Sequence, residues 1–246
     1  MFLRRYSRHG LWLLLLLALT AQSQQTRFTL SEDDPRALAT ISQYIAQHTH
    51  SLITYEELGY EHRNDLAFYP DENPSHPLPR HLRFTFTYDA TDDVRTILQN
   101  LIENHDEQAS GSYKVIEEQG VFHILPDASK DESGAFMQRA SILDLPVSVR
   151  LEQATGREVA CEVLRQLQER WQVETSCLTG YKGQVFGDLF YDEYEVEELP
   201  AREHLTRLRL DSSKRLSWHI LRGADGRYGV NFFIQQWDAP TPQRNQ

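Results

Sequence analysis

The apolar pattern of this 246-residue chain runs through the same series of elements twice. In the first pass, Asp34 can cap a helix and Pro35 suits its first position, where the missing N–H costs nothing. Leu38, Ile41, Ile45 and His48 then share one helical face, and Leu52–Tyr55 reads as a short strand closing at Gly59 and Tyr60. Phe84, Phe86 and Tyr88 alternate as a strand. Thr91 can cap the helix carried by Val94, Ile97, Leu98, Leu101 and Ile102, the cleanest amphipathic pattern in the chain. Residues 112–116 and 121–125, joined by a turn at Glu117–Gly120, form a hairpin.

The second pass begins at Thr155. Thr155 and Glu158 make a capping box in which hydroxyl and carboxylate each serve the other's backbone amide. Ala160, Val163, Leu164, Leu167 and Trp171 give the helical face. Val173, Thr175 and Cys177 alternate towards Gly180 and Tyr181. Leu38 to Tyr60 is 22 positions and Ala160 to Tyr181 is 21, so the two stretches match within one indel. Residues 191–197 form a strand, Pro200 opens a helix carrying Ala201, Leu205 and Leu208, and 217–221 pairs with 227–230 around Asp225-Gly226, a strong turn signal. The landmarks align as Ser112 with Ser217, Tyr113 with Trp218, Gly120 with Gly226 and Phe122 with Tyr228. Residues 204–210 also fit a strand, which would turn the second half into a β-meander.

The reading is an α+β protein of two tandem small units, each with helices packed on a mostly antiparallel sheet and closed by a β-hairpin. The boundaries are 24–126 for the first unit, 142–237 for the second, a polar linker at 127–141 and a disordered tail at 238–246. Within the second unit, 142–149 reads as an edge strand because Pro146 would interrupt a central ladder. Pro70, Pro74, Pro77 and Pro79 mark a surface insertion confined to the first unit.

This order of elements resembles the short N-terminal domain shared by secretins and TonB-dependent receptors, often called STN. The residues that carry the likeness are Leu38–Ile45, Leu52–Tyr55, Phe84–Tyr88, Val94–Ile102 and Tyr113–Leu125. It covers 34–126 well and 142–235 loosely. It implies a periplasmic module for protein contact and signalling without catalysis. The pair is expected to stand alone, without the pore-forming or barrel region that accompanies the module in that family.

The address is read separately. Arg4, Arg5 and Arg8 precede the uncharged run Leu11–Leu19, and Ala21 and Ser23 place small residues as signal peptidase prefers. Residues 1–23 are therefore expected to be a cleaved export signal. An uncleaved anchor is the alternative, although the run is shorter than the roughly 20 residues a span needs. Cleavage removes three arginines and no acid, taking the formal charge from −11 to −14. Such a surface repels nucleic acid and anionic lipid. With 40% hydrophobic residues, 11% aromatic residues and a mean hydropathy of −0.56, the remainder can bury a core and is expected to insert in no membrane.

In an oxidising compartment, Cys161 and Cys177 are expected to pair. The helix from Cys161 rises about 13–14 Å to Arg170, and the following strand returns about 13 Å. Two separate buried thiols are the alternative; the spacing does not suit a catalytic pair. His48, His50, Glu56, Glu57 and His62 are an incomplete ligand set for zinc, so no metal and no cofactor is expected. Asp188, Asp192, Glu193, Glu195, Glu197 and Glu198 surround Phe190, Tyr191 and Tyr194. As a strand, Tyr191, Glu193, Glu195 and Glu197 would face one way and Asp192, Tyr194 and Val196 the other, either as a solvated edge or as a face for a basic extended segment. Nothing selects two of these acids as a glycosidase pair. The Gly-x-Ser-x-Gly, His-Glu-x-x-His, P-loop and Ser-x-x-Lys patterns do not occur. The expected function is a non-enzymatic interaction module of the bacterial envelope, periplasmic or secreted, with a protein partner. Tyr191, Tyr194, Trp218 and Trp237 are the candidate interface aromatics, with ordinary core or hairpin packing as the alternative for each and the preferred reading for Trp218. Binding of a small ligand or glycan between the units, or an exported enzyme whose residues converge only in three dimensions, are the alternatives.

Overall fold

The computed structural model describes residues 27–68, 77–177, 186, 188–223 and 226–235. The expected leader, Pro70, Pro74, Gly180, Tyr181, Asp225, Trp237 and the tail at 238–246 lie outside the described residues.

In chain order the first unit consists of β1 (Arg27–Asp34), α1 (Ala37–Thr49), β2 (Leu52–Glu56), β3 (Leu66–Ala67), β4 (Leu78–Pro79), β5 (Leu82–Asp89), α2 (Val94–Asp106), β6 (Gly111–Glu118), β7 (Val121–Lys130) and β8 (Phe136–Gln138). The second consists of β9 (Pro146–Thr155), α3 (Gly156–Trp171), β10 (Thr175–Ser176), β11 (Phe190–Pro200), α4 (Ala201–Asp211), β12 (Leu216–Arg222) and β13 (Tyr228–Ile234). Apart from the short β3, β4 and β8, the order is the same in both: strand, helix, strand, strand, helix, hairpin. Residues 201–211 are helical, so the meander alternative falls and the fold is α+β.

Sheet pairing repeats as well. An antiparallel ribbon, β1–β5 in one unit and β9–β11 in the other, lies on one side of the helices. On the other side lie three strands, β2-β7-β6 and β10-β13-β12, in which the first pair is parallel and the second antiparallel. Ile41, Ile45, Leu98 and Leu101 of the helices meet Phe84 and Phe86 of β5 and Ile53, Tyr55 and Ile124 of the large sheet. In the second unit Val163, Leu164, Leu167 and Leu205 meet Val149 and Tyr194 of the ribbon and Trp218, Ile220, Val230 and Phe232.

The triplets fuse into one seven-stranded sheet in the order β10-β13-β12-β2-β7-β6, with β8 on the end of β7. At the joint β12 runs parallel to β2, with His219 opposite Tyr55 and Ile220 opposite Glu56. Tyr55 belongs to the first core and Ile220 to the second. Neighbouring side chains of a strand point to opposite faces, so the two helix pairs lie on opposite faces of the shared sheet. The units are thus related by a half-turn about the line along which the strands are ordered, together with a shift along it. This is a head-to-tail relation, and it leaves the two ends of the sheet inequivalent.

Three expectations need correction. Asp34 does not cap α1: it ends β1, three residues before the helix begins at Ala37, its Oδ1 accepts from the Arg36 N–H at 2.6 Å, and Pro35 lies in the intervening turn and does not open the helix. Asp93, not Thr91, caps α2, accepting from the Thr96 N–H at 3.0 Å. The stretch 127–141 is no linker. β7 continues to Lys130, the chain turns at Gly134 with φ +89°, and β8 pairs back on Ala128–Lys130. Asp131 accepts from Ser133 Oγ at 2.6 Å and the Ala135 N–H at 3.0 Å. These polar residues form a side-chain-stabilised turn, a composition that a linker shares. β1 was not foreseen, because Phe28 and Leu30 are the only large apolar residues in an acidic segment.

Candidate functional site

The second unit is braced by the Cys161–Cys177 disulfide, with Cα atoms 5.1 Å apart. The capping box fixes the start of α3: Glu158 Oε2 accepts from the Thr155 N–H at 2.7 Å, and the Thr155 hydroxyl accepts from the Glu158 N–H at 3.3 Å. Thr175 Oγ1 donates to the Leu164 carbonyl at 2.8 Å, which ties β10 to the same helix.

Of the candidate aromatics, the three among the described residues, Tyr191, Tyr194 and Trp218, do not form an exposed surface. Trp218 is 1% exposed and lies in the second core, its ring 5.8 Å from that of His123. Tyr194 is 5% exposed and hydrogen-bonds to His204 Nδ1 at 3.0 Å. Burial pushes its hydroxyl pKa up to about 12. Tyr191 is half-buried and donates to Asp211 Oδ2 at 2.8 Å; burial, then this bond to Asp211, raises its pKa. The rings of Tyr191 and Tyr194 are 5.1 Å apart. Strict alternation would separate them, but it breaks beside Gln153, which sits at φ +47° in the partner strand. The aromatic that does face out from the ribbon is Phe190.

The acidic stretch is partly neutralised from within. Asp188 accepts from the Ser213 N–H at 2.9 Å, Arg150 lies 3.4 Å from Glu195, and Arg170 donates to Glu198 at 3.1 Å. The histidine cluster is dispersed. His48 is exposed, packs on Phe28 at 5.0 Å and donates from Nδ1 to the Tyr44 carbonyl at 2.7 Å, while Glu56 and Glu57 turn inward. Among the described residues no group of three or more His, Cys, Asp or Glu is placed to hold a metal ion.

Chemistry that the sequence did not signal is concentrated at the joint between the units. Glu56 is 1% exposed and accepts from Ser141 Oγ and, at 2.8 Å, from the Ile142 N–H. Burial raises its pKa to about 7 against the pull of these bonds. Glu57 accepts from Arg36 Nε at 3.1 Å and from the Arg222 N–H, and its own N–H donates to the Ile220 carbonyl at 2.8 Å. Burial raises the pKa of Glu57 and Arg36 opposes that shift. Ser217 Oγ donates to the Ile53 carbonyl. Arg202, on α4, reaches across to both oxygens of Glu118 at 3.1 Å and also binds Asp144. His123, sharing a hydrogen with Thr54 at 2.7 Å, and His219 are both held neutral by burial, with pKa values pushed down to about 3; Arg202 adds to the shift of His123.

Buried carboxylates and histidines can also mark an enzyme cleft. Here the carboxylates bind the adjoining unit, while His123 bonds to Thr54 of its own unit and the buried Nε2 atoms of His123 and His219 have no hydrogen-bond partner among the described residues. Glu57 borders a crevice of only 10 Å³, enough for a single water. A larger cleft of 210 Å³ lies between Tyr60, Asp65, Arg80, His105 and Gln108, below the ~300 Å³ at which ligand pockets begin.

Among the described residues, one end of the shared sheet is open. β6 is its last strand. Lys114 and Glu117 are exposed there, and Val115 and Ile116 are half-buried. No helix among the described residues is long and apolar enough to cross a membrane. No family model, characterised protein or solved structure matches the chain.

Proposed function

We propose that this protein is an exported, non-enzymatic interaction module of the bacterial envelope, made of two STN-like units that present the β6 edge to a protein partner. The observation that carries this reading is the open edge itself: an eight-residue strand at the end of a sheet whose interior joint is rigidly bonded. Unpaired strand edges are templates for another chain. The order of elements in each unit supports the likeness to the STN domain, and the disulfide supports an oxidising compartment. The hydrogen bonds that consume Glu56, Glu57 and Arg202 within the joint favour a rigid scaffold over a reacting centre.

The test is a pull-down from envelope extract with disulfide-bonded 24–246 as bait and albumin as control. Reproducible enrichment of one envelope protein, lost when Val115→Pro blocks the edge, is expected. A folded bait that enriches nothing over albumin would sink the reading.

A further inference from the structure

The two units carry the same edge in two states. Pairing register makes Tyr113 the counterpart of Trp218, Val115 that of Ile220, and Ile124 that of Val230, all facing a core. By the same register Lys114 corresponds to His219 and Glu117 to Arg222, whereas a register shift between Ser112 and Tyr113 takes Ser112 off the position of Ser217. The edge of β12 is occupied by a parallel strand, β2, and Leu216–Ile220 are all buried. Among the described residues the edge of β6 has no such neighbour, and at the matching positions Lys114 is exposed and Val115 half-buried.

The occupied joint shows what the edge accepts. Ser217 Oγ takes a carbonyl of the incoming strand, the ladder forms at His219 and Ile220, and a side chain of the incoming chain caps the end at Arg222. The open edge differs in bearing two opposite charges, three residues apart. Among the described residues Lys114 has Asp127 at 3.7 Å as counter-ion, and Glu117 has Arg95 at 2.5 Å. Both pairs are exposed and so contribute little by themselves. They stand beside whatever pairs with the strand, where opposite charges attract and like charges repel.

Resting on the proposed interaction reading, we infer that β6 docks an extended segment of a partner protein. That segment runs parallel to β6, with an acidic residue opposite Lys114, two apolar residues opposite Val115 and Ile116, and a basic residue opposite Glu117. Its main chain completes the ladder and its two charges set register and direction, since an antiparallel strand of the same sequence places like charges opposite each other.

The probe is a fluorescent peptide of alternating Thr and Val with Glu and, three residues later, Lys. A second peptide has those two residues exchanged. Both are titrated into the full mature chain, with anisotropy as the readout. The first peptide is expected to bind about tenfold more tightly than the second, the swing that two cross-strand charge pairs provide. The double variant Lys114→Glu/Glu117→Lys should invert that preference. Because Val115→Pro could unfold the strand, the inversion, which needs a folded protein, is the deciding result. Equal affinity of both peptides, no binding of either up to about 1 mM, or a preference that the double variant leaves unchanged would each overturn the inference. An envelope partner captured equally well by the double variant would also overturn it while leaving the interaction reading intact, whereas capture of nothing by either bait would remove that reading too.

Discussion

Substituting Glu56→Gln should make the protein more stable at neutral pH, and the effect should vanish in acid. Glu56 is almost completely buried, and its pKa rises from 4.5 to about 7 chiefly through burial. The folded state therefore holds the proton more tightly than the unfolded chain. The stabilisation from that proton is complete below pH 4.5 and is lost as pH rises through about 7. A shift of this size corresponds to about 3 kcal/mol, at roughly 1.4 kcal/mol per pH unit of displacement. Glutamine mimics the protonated acid: its oxygen can accept from the Ile142 N–H and its amide can donate to Ser141 Oγ. Denaturant unfolding of both proteins between pH 4 and 8, with the disulfide intact, measures the difference. Subtracting the curves cancels every other titrating group. The variant should match wild type near pH 4 and exceed it by about 1–3 kcal/mol at pH 7.5. A difference curve that is flat across this range, or that slopes the other way, would refute a buried, proton-holding carboxyl at the joint.

Replacing Cys161 and Cys177 together by serine should cost about 3 kcal/mol, from release of a loop with a sequence separation of 16; calorimetry with and without reductant checks it, and wild type but not the variant should respond to reductant. Trp218→Ala should destabilise by about 3–5 kcal/mol because it empties the second core, whereas Phe190→Ala, at 62% exposure, should stay within about 0.5 kcal/mol; chemical unfolding of both variants distinguishes a core tryptophan from an interface one. Arg202→Ala should cost about 2 kcal/mol through loss of its charge-assisted bonds to Glu118 and Asp144. Its effect should show as faster amide exchange in β6 and the 142–144 turn.

The amphipathic patterns of α1, α2 and α3, the alternation in β5 and the capping box at Thr155 were legible because helix and strand periodicities are local. The hairpins and the pairing of Cys161 with Cys177 followed from chain reach and turn chemistry. Less could be read where two physical situations share one composition. The polar turn at 131–135 looks like a linker, β1 looks like an acidic loop, and Tyr191, Tyr194 and Trp218 have the residue types of an interface while lying in or against a core. Glu56 and Glu57 stood out only as members of an incomplete ligand set; their burial was not legible, since adjacent acids after a strand are most often solvated.

The sequence by itself determined which face of most helices and strands is apolar, and it favoured the repeat and the disulfide, which the helix at 201–211 and the Cys161–Cys177 bridge then decided. Only the tertiary structure decided that β12 joins β2 in parallel, that the helix pairs fall on opposite faces of one sheet, and that β6 is left as its edge. Side-chain patterns specify faces, whereas strand edges are made of backbone N–H and C=O groups that nearly every residue supplies alike. Which edge is paired therefore depends on contacts such as those of Glu56, Glu57 and Arg202, made between residues far apart in the chain.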